Sequence, residues 1–254
     1  MGSNEKKRTV IITGGNRGIG GSITDAFFKK GYYVLVGARR DTGIAKKCGE
    51  RVRFQYTDVR KESDHKDLVA AVIKWTGHVD VYVNCAGFSK WSPIEKIDEQ
   101  FWNEMIDTNL KGTFWGCKAA AAHLTKGGCI INISSLAGKR GSVNNSAYCA
   151  SKFGVNGITQ ALAKELGPRG IRVNAVCPVY VRTDGLIEAL RDNDSPAQGK
   201  DVEMYFEHFA RDNAALKRLP LGEEIGNACV LLASDESSAI TGQCINVDCG
   251  VLPQ

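Results

Sequence analysis

Short apolar runs alternate with stretches of helical periodicity along the whole chain, and few folds accept that alternation. Val10-Ile11-Ile12 reads as a strand, followed by a helix to about Lys30 with Gly31 as its stop signal. Tyr33-Val34-Leu35-Val36 and Val52-Arg53-Phe54-Gln55-Tyr56 are the second and third strands. A helix from about Glu62 to Trp75 leads into a fourth strand, Val79-Asp80-Val81-Tyr82-Val83. Two helices are predicted over roughly Asp98 to His123, then a fifth strand, Cys129-Ile130-Ile131-Asn132-Ile133. A long helix fills about Ser146 to Leu166, and Arg172-Val173-Asn174-Ala175-Val176 is the sixth strand. A helix near Glu223 to Ala233 precedes the seventh, Gln243-Cys244-Ile245-Asn246-Val247. Strands this apolar are covered on both faces, which calls for helices on either side of a parallel sheet. The pattern predicts an α/β fold with a doubly wound, seven-stranded parallel sheet in one domain spanning 1–254. The stretch from Thr183 to Leu216, with Asp192-Asn193-Asp194-Ser195-Pro196 inside it, is too long for an ordinary connection. It predicts a substrate lid or a pair of helices over a site.

Composition narrows the partners. Apolar residues form 43% of the 254, enough for a core without disulfides. The 33 basic and 28 acidic residues are interspersed and leave a net charge of +5, without the segregated basic stripe of a nucleic-acid binder. The one dense basic run, Lys6-Lys7-Arg8, reads as a solvated tail. Met1-Gly2-Ser3-Asn4 is polar, Lys6 stands where a myristoylation signal needs Ser or Thr, and no apolar run reaches membrane-spanning length. Together these predict a cytoplasmic protein with no membrane partner. The 9 cysteines are odd in number, without C-x-x-C spacing and without a His at ligand distance. They are read as reduced, mostly buried small residues, and no metal is predicted.

Two stretches carry chemistry. Thr13-Gly14-Gly15-Asn16-Arg17-Gly18-Ile19-Gly20 joins the first strand to the first helix. Glycines there let the backbone approach a pyrophosphate, and the helix N-terminus supplies free N–H donors, as in a Rossmann-like fold. The second strand ends Val36-Gly37-Ala38-Arg39-Arg40, with Ala38 where an NAD site places an acid for the ribose hydroxyls. Arg39 and Arg17 instead suit a 2′-phosphate, whose oxygens match a planar guanidinium fork, so NADP(H) is the predicted cofactor.

The second stretch is Tyr148-Cys149-Ala150-Ser151-Lys152. Residues four apart share one helix face. An ammonium beside a phenol, together with the positive charge of an oxidised nicotinamide, favours the phenolate and suits the tyrosine to acid/base work. Ser135, at the end of the fifth strand, is placed to hold the substrate oxygen.

Taken in order, these motifs resemble the classical short-chain dehydrogenase/reductase family over the whole length. The T-G-x-x-x-G-I-G loop is Thr13 to Gly20. The adenine-side Asp matches Asp58, followed by Val59, and the N-N-A-G stretch is Asn84-Cys85-Ala86-Gly87, with Cys in second place. The catalytic Asn matches Asn109, and the Ser matches Ser135 rather than Ser134. The resemblance implies that Tyr148 exchanges the proton and that Lys152 lowers its pKa and holds the nicotinamide ribose. It implies that Ser135 polarises the carbonyl and Asn109 positions a water linking Lys152 to solvent. It also implies a basic pair at Arg17 and Arg39 for NADP(H), and a homotetramer or homodimer built on the two longest helices. The implied reaction is hydride transfer between NADP(H) and a ketone or secondary alcohol, most simply a carbonyl reductase. An NAD-linked alcohol dehydrogenase and a non-catalytic NADP-binding sensor are the alternatives.

The family pattern P-G-x-x-x-T reads Pro178-Val179-Tyr180-Val181-Arg182-Thr183. Pro178, Val181 and Thr183 keep the nicotinamide-lining positions, but Val179 replaces the Gly. A β-branched residue resists positive φ, so a different local turn is predicted, with Tyr180 and Arg182 meeting the substrate in an unusual way. Other candidate substrate contacts are Lys90, Lys139, Arg140, Arg191, Asn144 and Asn145, with Trp91 and Tyr205 as apolar wall. Phe206 and Phe209 are read as core-facing on an amphipathic helix, and His208 as packed or solvated.

Overall fold

The structure is a computed structural model and describes residues 8–253. Lys6, Lys7 and the polar start before them lie outside the described residues. Arg8, the last of the basic run, donates to the Ala233 carbonyl and lies over the Tyr32 ring.

Seven strands pair in the order β3-β2-β1-β4-β5-β6-β7, every pairing parallel. They are β1 (Thr9–Thr13), β2 (Tyr33–Ala38), β3 (Val52–Tyr56), β4 (Val81–Asn84), β5 (Cys129–Ile133), β6 (Arg172–Pro178) and β7 (Cys244–Val247). Alternate side chains of a strand point to opposite faces, and two cores result. Val10, Ile12, Val34, Val36 and Ile131 pack with Ile23 and Phe27 of α1 (Gly18–Lys29) and with Ile225 and Cys229 of α9 (Gly222–Ala233). Ile11, Leu35, Tyr82, Ile130 and Val173 pack on the other face. There they meet Leu68 and Val72 of α3 (Glu62–Thr76), Cys117 and Ala120 of α5 (Gly112–His123), and Ala163 and Leu166 of α6 (Ser146–Leu166). A short α2 (Ile44–Cys48), not foreseen, follows β2.

Two boundaries differ from the sequence reading. The pair of helices predicted over 98–123 is one helical run, in which a π-helical turn, Asp107–Lys111, joins α4 (Glu99–Ile106) to α5. In it the Thr113 hydroxyl donates to the Asn109 carbonyl at 2.8 Å, a bond that sequence periodicity does not reveal. The fourth strand starts at Val81 rather than Val79 because His78 and Asp80 are taken up by Thr9. Thr9 N–H donates to Asp80 Oδ2 at 2.8 Å, and the Thr9 hydroxyl donates to the His78 carbonyl at 3.0 Å.

The 183–216 stretch holds α7 (Asp184–Leu190) and α8 (Val202–Asn213). Leu190, Ala197, Val202 and Phe206 form a third, smaller core around Trp91, which is buried rather than lining an open wall. Phe206 is buried, Phe209 half-buried, and His208 exposed. Strand order reverses between β1 and β4, and the carboxyl ends of the strands at such a reversal are where sheets of this kind bind ligands.

Candidate active site

The loop from β1 to α1 is held open by its glycines. Gly14 stands at φ 68°, and its N–H donates to the Gly37 carbonyl at 2.7 Å. A Cβ on Gly20 would lie 2.1 Å from the Gly14 carbonyl oxygen, so only glycine fits. Asn16 fastens this loop to the end of β2. Its Nδ2 donates to the Arg40 carbonyl at 2.9 Å, and its carbonyl accepts from the Thr42 hydroxyl at 2.9 Å. Ile19 packs on the first core. Gly18 faces Thr183, whose Cγ2 would be 3.3 Å from a Cβ there, so the segment after β6 reaches the glycine loop.

Around this loop the charge is one-sided. Ala38 is buried, while Arg17, Arg39 and Arg40 are exposed. The Arg17 and Arg40 side chains make no hydrogen bond or ion pair with any described residue. Asp58 is the nearby acid, and it is neutralised: Arg60 clamps it with Nε at 2.9 Å from Oδ1 and a terminal nitrogen at 2.6 Å from Oδ2. That hydrogen bonding, reinforced by the charge of Arg39, holds the Asp58 carboxyl below its usual range. Val59 is buried beside it, its carbonyl bonded to His65 Nε2 at 2.9 Å. Burial keeps His65 neutral, so Nε2 is the donor and Nδ1 accepts from the Tyr82 hydroxyl at 2.8 Å.

The β4 exit is pinned by Thr13, whose hydroxyl oxygen accepts from Cys85 N–H at 3.1 Å and Ala86 N–H at 3.2 Å. The sequence marks Thr13 only as the start of the glycine loop, and no local signal reveals this bracing of β4. The Asn84 side chain turns into the sheet, donating to Asn132 Oδ1 at 2.9 Å, and does not reach the nucleotide loop. Gly87 is where the two ends of the site meet. A Cβ there would lie 2.9 Å from Asn109 Oδ1 and 3.8 Å from Lys152 Nζ. Asn109 is fully buried in the π-turn, and its amide is spent on Phe88: Oδ1 accepts from the N–H at 3.0 Å, and Nδ2 donates to the carbonyl at 2.9 Å.

Ser135 and Ser134 divide their duties by orientation. The Ser134 hydroxyl donates inward to the Lys152 carbonyl at 3.3 Å. The Ser135 hydroxyl accepts from Ala137 N–H at 3.1 Å, and it acts on the neighbouring Tyr148 phenol to lower its pKa. Tyr148 and Lys152 lie one turn apart near the start of α6, with Nζ 5.7 Å from the Tyr148 ring centroid. Lys152 Nζ donates to the Ile133 carbonyl at 2.8 Å. Burial pushes the Tyr148 phenol up to about 12, partly offset by Ser135, and burial pulls Lys152 down to about 8. Desolvation is the largest influence on both groups.

At the β6 exit, Pro178 and Val181 are buried, and the Thr183 hydroxyl caps α7 by accepting from Leu186 N–H at 3.3 Å. Val179 is absent from the residues with positive φ, so the turn passes without the glycine conformation. Tyr180 lies among Tyr205, Phe206 and Phe209. Arg182 is committed to α8, paired with Glu203 and stacked 5.5 Å from the Phe206 ring centroid. Among the other candidate contacts, Arg191 pairs with Glu188, Asn145 Nδ2 donates to Ser142, and Lys90 lies over Phe101 beside a polar cavity of about 370 Å³. Asn144 Nδ2 donates to the Asp194 carbonyl at 3.0 Å, tying the catalytic loop to the stretch between α7 and α8.

All nine cysteines are free thiols. Among the described residues no group of three potential ligands is placed to hold a metal ion, and no helix is long and apolar enough to cross a membrane.

A protein family described as Enoyl-(Acyl carrier protein) reductase matches residues 14–252. The 3-oxoacyl-[acyl-carrier-protein] reductase FabG of Chlamydia muridarum is 36% identical over 258 residues, covering 96% of this chain and 97% of the relative. Among solved structures, a variant of actinorhodin polyketide ketoreductase with NADPH superposes with a TM-score of 0.89 at 32% identity, covering 99% of each chain. The ligand-free aldohexose dehydrogenase of Thermoplasma acidophilum gives 0.87 at 30% identity, covering 97% of this chain and 94% of that one.

Proposed function

The chain belongs to the classical short-chain dehydrogenase/reductase family, and from that premise we propose that it is an NADPH-dependent reductase of the keto group in 3-oxoacyl thioesters, the substrate type named for its FabG relatives. The observation that supports this reading is the Ser135 and Tyr148 hydroxyls beside a buried Lys152, at the same end of the sheet as the exposed Arg17, Arg39 and Arg40.

Each residue then has a task. Gly14, Asn16, Gly18, Ile19 and Gly20 cradle the pyrophosphate, Arg17 and Arg39 take the 2′-phosphate, and Asp58 and Val59 border the adenine. Ala86 and Gly87 border the ribose, with Asn84 bracing their strand from within the sheet. Pro178, Val181 and Thr183 line the nicotinamide. Bound NADPH supplies the hydride, and with it the two electrons, that reduces the keto carbon. Ser135 and Tyr148 hold the keto oxygen by hydrogen bonds. As the carbonyl π pair moves onto that oxygen, Tyr148 gives it the phenolic proton, leaving a secondary alcohol. Burial keeps Tyr148 protonated at neutral pH, the form a proton donor requires. Lys152 stabilises the phenolate left behind and holds the ribose. Asn109 acts as a positioning residue, pinning the Phe88 backbone next to Gly87. The 183–216 stretch serves as the substrate lid. A homodimer or homotetramer built on α5 and α6 is supported by the exposure of Phe114 and Phe153 on these helices.

The test is to follow NADPH consumption with an acetoacetyl thioester, beside NADH and beside aldohexose oxidation with NADP. The thioester should be reduced, with NADPH preferred. Arg39→Ala should weaken NADPH binding by about 1–3 kcal/mol and spare NADH. Oxidation of the aldohexose without any thioester reduction overturns the reading.

A further inference from the structure

A buried polar chain runs from the middle of the sheet to the segment that leaves β3, and no task is yet assigned to it. Tyr82 of β4 and His65 of α3 are both fully buried, on the face of the sheet where Leu68, Val69 and Val72 of α3 pack. The Tyr82 hydroxyl donates to His65 Nδ1 at 2.8 Å, and His65 Nε2 donates to the Val59 carbonyl at 2.9 Å. Burial, the largest influence on the imidazole, keeps it neutral. A neutral ring has one N–H and a carbonyl only accepts, so each link has a single direction. An imidazole and a phenol are costly to bury unless they are bonded, and apolar side chains would fill the same space without that cost. Packing alone does not call for this pair.

The segment held in this way lies at the carboxyl edge of the sheet. Thr57 N–H donates to the Ala38 carbonyl at 3.0 Å, which ties it to the end of β2. Asp64, the neighbour of His65 on α3, accepts from Asp58 N–H at 2.8 Å. On its other side Val59 is seated against the start of α5. A Cβ on Gly112 would lie 3.0 Å from Val59 Cγ2 and 3.1 Å from the Val59 carbonyl oxygen. Asp64 and His65 therefore fix two consecutive residues, one by its N–H and the next by its carbonyl. The His65 bond alone of these two continues into the sheet. Tyr82 stands in register with Ile11 of β1, the strand that leads into the glycine loop. The position of Val59 is thus referred to β1 and β4, the strands between which the order reverses.

We propose that His65, oriented by Tyr82, is a positioning residue for the cofactor, fixing the Val59 carbonyl and with it the surface on which the adenine half of NADP(H) rests. This rests on the cofactor reading above, in which Asp58 and Val59 border the adenine, and deepens it. A buried carbonyl left without its donor carries a desolvation penalty. Without His65 Nε2 the segment relieves that penalty by turning its carbonyl to water, and α5 blocks a shift to the other side. Either movement takes Val59 out of its position beside the ends of β1 and β2. The adenine half is common to NADPH and NADH, and the hydride leaves from the nicotinamide at the other end. The loss therefore falls on affinity for both cofactors alike and not on the chemical step.

Dissociation constants for NADPH, NADH and adenosine 2′,5′-bisphosphate, read beside kcat at saturating NADPH, test this. His65→Leu should weaken all three ligands by a similar factor, about five- to tenfold, as expected for one lost hydrogen bond. Its kcat should stay near that of wild type. His65→Gln, whose amide N–H can reach the same carbonyl, should recover most of the affinity. Tyr82→Phe removes one oxygen, leaves the ring to pack, and should weaken all three ligands about threefold. Arg39→Ala should differ in kind, weakening NADPH and the bisphosphate and sparing NADH. Unchanged affinities in folded His65→Leu overturn the proposal, and if that variant does not fold, unchanged affinities in Tyr82→Phe do so. A fall in kcat with affinities unchanged, the mark of damaged packing, also overturns it and leaves the cofactor reading intact. Failure of the bisphosphate to displace NADPH from wild type overturns the adenine site and this proposal with it.

Discussion

Tyr148 and Lys152 face each other across one turn of α6, and burial moves them in opposite senses, the phenol up to about 12 and the ammonium down to about 8. The spacing of the pair is local and legible in the sequence. The sign of the effect is not, because it depends on how β5, the Gly87 strip and the 134–138 segment close over the two groups. For Lys152 the lowered value has a measurable consequence. The ammonium is protonated below about pH 8 and neutral above it. An anionic cofactor prefers the charged form, so NADPH affinity should weaken as pH rises through that value. A fluorescence titration of NADPH across pH should show the break in wild type and not in Lys152→Ala; the same break in both would remove Lys152 from the cofactor site. The folding linkage has a definite sign. The folded value lies below the model value of 10.5, so the unfolded chain binds more protons between the two. Burying Lys152 therefore costs stability below about pH 8, and the cost eases as pH rises toward 10.5. Other residue-level features were invisible for the same reason as the sign. The Arg60 clamp on Asp58, the Arg182–Glu203 pair and the Tyr180–Tyr205 bond depend on how loops and helices are packed together.

The elements themselves were written more plainly. The apolar runs of β1 and β5 are buried at every position, and α6 spans the residues its periodicity marks. The two departures are the π-turn at 107–111 and the late start of β4, where Thr9 bonds to Asp80 and His78. The 183–216 stretch resolves into α7 and α8 around a small core, which fits a pair of helices over a site. Its middle is fastened to the rest by few polar links: Lys96 to Asp194 at 3.0 Å and Asn144 to the Asp194 carbonyl. Few ties of this kind set a low cost for local opening. Hydrogen exchange should be fastest in this stretch in the free enzyme and should slow there when NADP(H) and an acetoacetyl thioester are both present. Equal protection with and without ligands would show that α7 and α8 are fixed scaffold and not a lid.

At the scale of the molecule, the reversal of strand order between β1 and β4 gathers the chemistry at one edge. The glycine loop leaves β1, Ala38 ends β2, Ala86 and Gly87 follow β4, Ser135 follows β5, and Pro178 ends β6. Residues far apart in the chain meet because parallel strands all end on the same side. That much could be anticipated from the motifs, since each stands just after an apolar run; the depth at which Asn109 and Lys152 are buried could not. In the proposed function this edge reduces a keto group with NADPH, and Tyr148 supplies the proton. Tyr148→Phe removes one oxygen and leaves the ring to pack. The most direct measurement is NADPH consumption with an acetoacetyl thioester by wild type and Tyr148→Phe, with NADPH affinity determined for both. The account predicts turnover lower by about 10²–10⁴ in the variant, with NADPH binding nearly unchanged. Near-normal turnover in Tyr148→Phe would place the proton donor elsewhere and contradict it.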